Sequence, residues 1–170
     1  LWPHFKEARI CLSIDDLDDR NAFIRTNTNW NAVLKTIDTL LPLQDKLTLR
    51  ITQTVSAYNY ATLPEFFKWA DSIGVEVDMN FVYDPDYLSP GVIPPKAREL
   101  IHTEFRQALG NDHKLSTLLS MFNNEDWDEL KWEQFCRFND LLDNNDNSEW
   151  RSTFTKLVDV VDASGYTSIY

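Results

Sequence analysis

Between Ala8 and Pro95 the sequence switches three times from a strand-like run to a helix-like one. Ala8–Ile14 (Ala-Arg-Ile-Cys-Leu-Ser-Ile) is a mostly apolar run suited to a strand buried on both faces, with Cys11 as a small buried hydrophobe. Trp30–Leu41 then places Trp30, Val33, Leu34, Ile37, Leu40 and Leu41 on one helical face, with Asn29 as N-cap and Pro42 as the stop. Leu47–Val55 is rich in Thr and β-branched residues and predicts a second strand. Thr62 and Glu65 have the spacing of a capping box, opening a helix that carries Phe66, Phe67, Trp69, Ala70 and Ile73 and closes at Gly74. Val75–Val82 alternates Val75, Val77, Met79 and Phe81 with Glu76, Asp78 and Asn80, a third strand. A loop with Pro85 and Pro90 leads to Pro94-Pro95, which open the next helix. Strand and helix in alternation at these intervals require right-handed crossovers and a parallel sheet.

Beyond Pro95 the pattern predicts helices over Lys96–Leu109, His113–Asn123, Asp126–Asp143 and Ser148–Ala163, and no strand. The expected class is therefore α/β. Residues 1–110 hold about three βα units of a parallel sheet, and residues 111–170 form an all-helical extension. Three strands are too few to close a barrel and would leave an edge bare. The chain starts almost directly on a strand, so earlier βα units are expected to belong to the same protein.

Composition removes several functions. The four glycines, Gly74, Gly91, Gly110 and Gly165, never cluster into a loop that could cradle a phosphate. With 27 acidic against 16 basic residues the net charge is -11, which argues against nucleic-acid binding. No apolar run approaches the roughly 20 residues of a membrane span, and no signal peptide is visible. Cys11 and Cys136 give neither a disulfide framework nor a metal-ligand spacing, which suits a reducing, cytoplasmic setting.

Parallel α/β folds build their sites at the C-terminal ends of the strands. Three clusters fall there: Ser13, Asp15 and Asp16; Thr52, Gln53 and Thr54 with Ser56 and Asn59; and Asn80 followed by Tyr83 and Asp84. Each reads either as a ligand site or as an ordinary solvated strand end. Asp15-Asp16-Leu17-Asp18-Asp19 invites a divalent-cation reading, since hard cations prefer clustered carboxylates. It also matches the Asp-Asp-x-x-Asp string of prenyl-transferring enzymes, but those carry it mid-helix, whereas here it follows a strand. The preferred reading is a solvated, turn-forming acidic loop with Asp15 alone directed at the site. Arg25, just before a helix, suits a carboxylate or phosphate ligand, or a salt bridge to a nearby aspartate. His4, His102 and His113 share no ligand spacing. Phe122, Trp127, Leu130, Trp132, Phe135, Phe138 and Leu141 are expected in the core of the helical extension.

Several of these strings together resemble a known family. Ser13-Ile14-Asp15, then Ile24-Arg25 with Asn29-Trp30, resembles the fourth strand and following loop of radical S-adenosylmethionine (SAM) enzymes. Thr54-Val55-Ser56-Ala57-Tyr58-Asn59 with Leu63-Pro64-Glu65-Phe66 resembles the fifth strand and its helix. Asn80-Phe81-Val82, Pro85-Asp86-Tyr87-Leu88-Ser89 and Ile93-Pro94 resemble the sixth strand and its exit loop. Phe135–Asp143 with Trp150-Arg151 and Phe154 is similar to the end of the twitch-domain-containing subgroup, several members of which come from phage-like genomes.

The resemblance implies the C-terminal half of a partial parallel (β/α)6 barrel. In that family three cysteines spaced Cys-x3-Cys-x2-Cys hold a [4Fe–4S] cluster, and reductive cleavage of SAM yields a 5′-deoxyadenosyl radical. This chain lacks that motif, the Gly-Gly-Glu-Pro-like second-strand motif and any auxiliary-cluster cysteines. By the family pattern Ser13 and Asp15 face the ribose or methionine end of SAM, Arg25 approaches its carboxylate, Gln53, Thr54 and Asn59 line the fifth-strand side, and Asn80, Val82 and Leu88 flank the adenine. The implied partners are the N-terminal half of the same protein and a substrate, a peptide by family analogy, with no membrane or nucleic acid. The isolated chain is expected to be inactive. The rival expectations are a non-catalytic remnant or protein-interaction module, and a metal-dependent hydrolase or lyase using Asp15–Asp19.

Overall fold

The structure, a computed structural model, describes residues 8–110, 118–119, 127–146 and 149–166, with side chains left out at 144–146. It is α/β, as the alternation requires. Strands β1 (Arg9–Ser13), β2 (Thr48–Val55) and β3 (Glu76–Phe81) form a parallel sheet in the order β1-β2-β3. The helices are α1 (Asp18–Ile24), α2 (Trp30–Leu40), α3 (Leu63–Ser72), α4 (Pro95–Leu109), α5 (Glu129–Asp146), α6 (Trp150–Thr153) and α7 (Thr155–Ala163). No strand follows β3 among the described residues. The helix expected over His113–Asn123 falls largely outside them. No helix of the described residues is long and apolar enough to cross a membrane. The chain divides into two compact units that interleave in sequence: Leu1–Thr54 with Glu65–Asn80, and Val55–Pro64 with Phe81–Tyr170.

In the first unit β1 pairs with β2 in the register Arg9↔Thr48, Cys11↔Arg50 and Ser13↔Thr52. Side chains on successive strand residues point to opposite faces, so this register sorts the sheet into two unlike sides. One side carries Leu49, Ile51, Gln53 and Val77, all buried. The other carries Arg9, Cys11 and Ser13, then Arg50, Thr52 and Thr54, then Glu76, Asp78 and Asn80, and these are exposed or half-buried. Arg50 bridges strands on that side, donating from Nε and Nη2 to Asp78 and from Nη1 to Glu76, each at 2.6 Å. Ile37 of α2 and Phe66, Phe67 and Ala70 of α3 join the buried side chains. Burying each of the valine, leucine, isoleucine and phenylalanine side chains among them is worth roughly 1.5–3 kcal/mol.

Helix starts and stops follow local chemistry. The Asn29 carboxamide accepts from the Ala32 N–H at 3.0 Å, capping α2 as expected. Pro42 sits in a single 3-10 turn, Leu41–Leu43, that ends the segment. Gly74 takes a φ of 67°, a left-handed value that a glycine adopts without a Cβ penalty, just past the end of α3.

Three expectations are corrected here. β1 is not buried on both faces: among the described residues it pairs only with β2, and Ile10 and Leu12 are only half-buried. Cys11 is exposed, because it points to the open polar side. The acidic run is not a solvated loop: Asp15 and Asp16 are buried, and Asp18 and Asp19 open α1, a helix that the periodicity did not reveal.

The second unit has an aromatic core. Trp132, Phe135, Cys136 and Asn139 are buried along one face of α5, at helical spacing. Trp132 stacks on Phe135 with centroids 5.2 Å apart, and Trp150 meets Phe135 edge-on at 5.4 Å. Tyr58 packs against Phe135 and Phe154 and donates its hydroxyl to Asn139 Oδ1 at 2.6 Å. Leu130 and Leu141, expected in this core, are 65% and 63% exposed, since they occupy the opposite face of α5. Trp127 and Phe138 are half-buried, and Phe122 lies outside the described residues. Helix α4 packs against α7.

Candidate functional site

At the C-terminal ends of β1 and β2, Asp15 is the centre of a buried polar cluster. Its peptide is gripped from both sides: the Asp15 N–H donates to Asn21 Oδ1 at 2.9 Å, and the Asp15 carbonyl accepts from Gln53 Nε2 at 2.9 Å. Its carboxylate accepts from the Thr54 N–H at 2.7 Å and lies 2.7 Å from Arg25 Nε. A second Arg25 nitrogen, Nη2, donates to Asp15 Oδ1 at 3.3 Å. The local sequence dictates this. β1 ends at Ser13, the Ile14 N–H still bonds the Thr52 carbonyl, and the next residue must turn over the end of β2. A carboxylate there can take the Thr54 N–H, which is otherwise a costly buried donor.

Asp16 begins a second, adjoining cluster. It accepts from the Leu17 N–H at 2.8 Å and lies 3.1 Å from Arg20 Nε. Arg20 also donates to Glu65 at 3.0 Å. Burial lowers the Arg20 pKa, but the attraction of Asp16 and Glu65 outweighs it and holds the guanidinium above its ordinary value. Glu65, which the capping-box spacing assigned to the start of α3, is thus engaged with Arg20, while the Thr62 hydroxyl donates to the Asn59 carbonyl at 3.1 Å.

The expected site residues of the first unit fall into two sets. Asp15, Arg25, Gln53 and Thr54 are brought together by the bonds above. Of Arg25's two open readings, the structure has the salt bridge. Gln53 points to the buried side of the sheet, and its Oε1 has no hydrogen-bond partner among the described residues. Ser13 and Asn80 lie on the open polar side, both exposed, with Thr52 and Thr54 between them in the sheet. In the second unit, Asn59 is buried and accepts the Ser56 N–H at 2.8 Å. The Val82 N–H donates to the Val55 carbonyl at 3.0 Å, and the Leu88 carbonyl accepts from the Ala57 N–H at 2.8 Å. These three residues therefore fix the turn that follows β2.

Asn21 and Arg20 were missed by the sequence reading. Asp16 and Arg20 stand four apart, a spacing that signals a helical ion pair once α1 is known. Nothing in the sequence singles out Asn21. Also unforeseen is the pair of buried Tyr60 and half-buried His102, whose Oη and Nε2 are 2.8 Å apart. Burial, with Arg106 and Arg98 nearby, pushes the His102 pKa down to about 4, so the ring is neutral at pH 7. Burial pushes the Cys136 thiol up to about 12.

Among the described residues, no group of three or more His, Cys, Asp or Glu is placed to hold a metal ion. In the acidic run the two buried carboxylates, Asp15 and Asp16, are each engaged by an arginine. No family model, no curated protein and no solved structure matches the chain.

Proposed function

We propose that this chain is part of a radical SAM enzyme and supplies one wall of its SAM pocket from the open side of the first unit's sheet. The observation that carries the reading is the asymmetry of that sheet. A parallel sheet in a doubly wound fold is covered on both faces and reads as continuous apolar strands. Here one side is apolar and buried, and the other is a polar field ending in Ser13, Thr52, Thr54 and Asn80. Such a sheet suits the wall of a barrel, whose strands alternate between an outer helical layer and an inner, ligand-facing surface.

The residues fit SAM in part. Hydroxyl and amide groups at the C-terminal ends suit its ribose and methionine ends, and Arg25, half-buried and held by Asp15, suits its carboxylate. In this reading Asp15 and Gln53 are positioning residues: Asp15 holds Arg25 and the Thr54 backbone, and Gln53 holds the Asp15 carbonyl. The cluster does not fit. The chain has two cysteines, Cys11 exposed and Cys136 buried with its thiol protonated, against the three thiolates a [4Fe–4S] cluster takes from this family's motif. Reductive cleavage therefore belongs to parts of the parent outside this chain, in the cytoplasm by the cysteine argument above, and the substrate class stays with the family analogy of a peptide.

The test is equilibrium binding of S-adenosylhomocysteine, which cannot be cleaved, to the parent with its preceding sequence. Arg25→Gln and Ser13→Ala are expected to weaken binding about tenfold each with unchanged circular dichroism, since each removes one polar contact. A parent that does not bind the ligand, or binds it equally well in both variants, sinks the reading. A second reading, a protein-interaction module, is favoured by the edge of β1, which pairs only with β2 and has no outer partner strand among the described residues. It predicts that the chain alone is soluble and captures an extended peptide along β1.

A further inference from the structure

In the second unit, an open slot of about 300 Å³ is lined by Pro94, Pro95, Lys96, Trp127, Gly165 and Tyr166, with Ser164 completing its wall. That volume is at the lower end of small-molecule sites. None of these residues belongs to the proposed SAM pocket.

Its walls are fixed and apolar. The Trp127 indole N–H donates to the Val92 carbonyl at 2.8 Å, which sets the ring plane. Tyr166 meets that ring at 89° with centroids 5.6 Å apart, and its hydroxyl bonds Glu129. Gly165, at a φ of 76°, turns the chain from the end of α7 into the slot. The Ser164 hydroxyl donates its proton to the Val161 carbonyl. Two rings at right angles beside two prolines form a site for a flat apolar group.

One end of the slot is lined by a lysine, Lys96. It coincides with the start of α4, a 15-residue helix. Pro94 provides no side-chain cap there, and the first turn holds no acidic residue. The first turn instead holds Lys96, an adverse place for a cation because the helix N-terminus is already positive. Lys96 is exposed and has no ion-pair or hydrogen-bond partner among the described residues, in a chain of net charge -11. The free Lys96 ammonium, the uncapped helix start and the aromatic walls meet at one slot.

We infer that the Trp127–Tyr166 slot binds a small aromatic carboxylate, its ring between the two side chains and its carboxylate at Lys96. Glu129, bonded to Tyr166, is the opposing charge, and it disfavours a ligand with a second anionic group.

The test is a ¹⁵N NMR titration of the full chain with phenylacetate and with its neutral analogue phenylacetamide. Phenylacetate is expected to shift the Trp127 indole, Lys96 and Gly165 signals and to bind at least tenfold more tightly than phenylacetamide. Lys96→Gln, a change at an exposed site, is expected to weaken phenylacetate at least fivefold while leaving phenylacetamide unchanged. The proposal is overturned by equal affinity for acid and amide, by an unaffected Lys96→Gln variant, or by shifts confined to other residues. It is also overturned if a blocked tripeptide ending in phenylalanine binds more than tenfold more tightly than phenylacetate, which would make the ligand a peptide end.

Discussion

Replacing Asp15 with Asn tests the central cluster without changing its shape. The Asp15 carboxylate is 5% exposed, accepts the Thr54 N–H and Arg25 Nη2, and lies 2.7 Å from Arg25 Nε in an ion pair. An asparagine Oδ1 can still take the Thr54 N–H, but its Nδ2 then faces Arg25 as donor against donor. Hydrogen bonds to charged groups are worth about 1.5–3 kcal/mol, and breaking a fully buried pair costs about 3–5. Arg25 is 35% exposed, so water recovers part of its charge and the loss falls near the lower figure. The expected cost of Asp15→Asn is about 2–3 kcal/mol, or about 5–10 °C in Tm for a chain of this size. Arg25→Gln alone should cost about 1 kcal/mol, and the double variant should show a coupling of about 1 kcal/mol. The assay is urea unfolding followed by both circular dichroism and tryptophan fluorescence, because coincident curves are needed to treat the transition as two-state. A loss under 0.5 kcal/mol for Asp15→Asn, or zero coupling with Arg25, would refute the argument that this carboxylate organises the strand ends.

Further outcomes follow from the second unit and from the two thiols. Tyr58→Phe removes the donor to buried Asn139 and leaves that carboxamide oxygen short of a partner, so thermal unfolding should report a loss of about 1–3 kcal/mol. His102 has a native pKa of about 4 against 6.5 for the unfolded ring, so the unfolded state binds the extra proton between those values. Its contribution is complete above pH 6.5 and is lost as the pH falls toward 4. After allowance for solvent screening of a half-buried ring it amounts to about 1–3 kcal/mol. His102→Gln should flatten the fall in stability over that window, and the NMR titration of the ring should show a midpoint near 4. With a thiol reagent at pH 8, Cys11 should react in the native chain, whereas Cys136 should react only on unfolding.

Elements with a strong period were legible in the sequence. α2 and β3 were read from the spacing of Trp30, Val33 and Ile37 and from the alternation of Val75, Val77 and Met79, and both appear within a residue or two. α1 was not legible because seven residues cannot establish a period, and its start is held by side-chain bonds of Asp16, Arg20 and Asn21 rather than by an apolar stripe. β1 misled because Ile10-Cys11-Leu12 reads as a two-sided core strand, whereas its register with β2 turns Arg9, Cys11 and Ser13 to the polar side. Asp15 was legible as a site candidate from its position after a strand, and its salt bridge to Arg25 was one of two open readings, but Gln53 and Thr54 were not legible as its partners because they are distant in sequence. The Trp127–Tyr166 slot escaped for the same reason, as its walls come from three separate segments.

In the proposed function the open polar side of this sheet belongs to a radical SAM barrel whose cluster is held outside the chain. Reading the coding DNA upstream of Leu1 tests it most directly. If that proposal holds, the open frame runs back through strand–helix repeats to a Cys-x3-Cys-x2-Cys segment following a strand. A frame that holds no such segment would contradict it, and the SAM pocket assignment to Ser13, Thr54, Asn80 and Arg25 would fall with it.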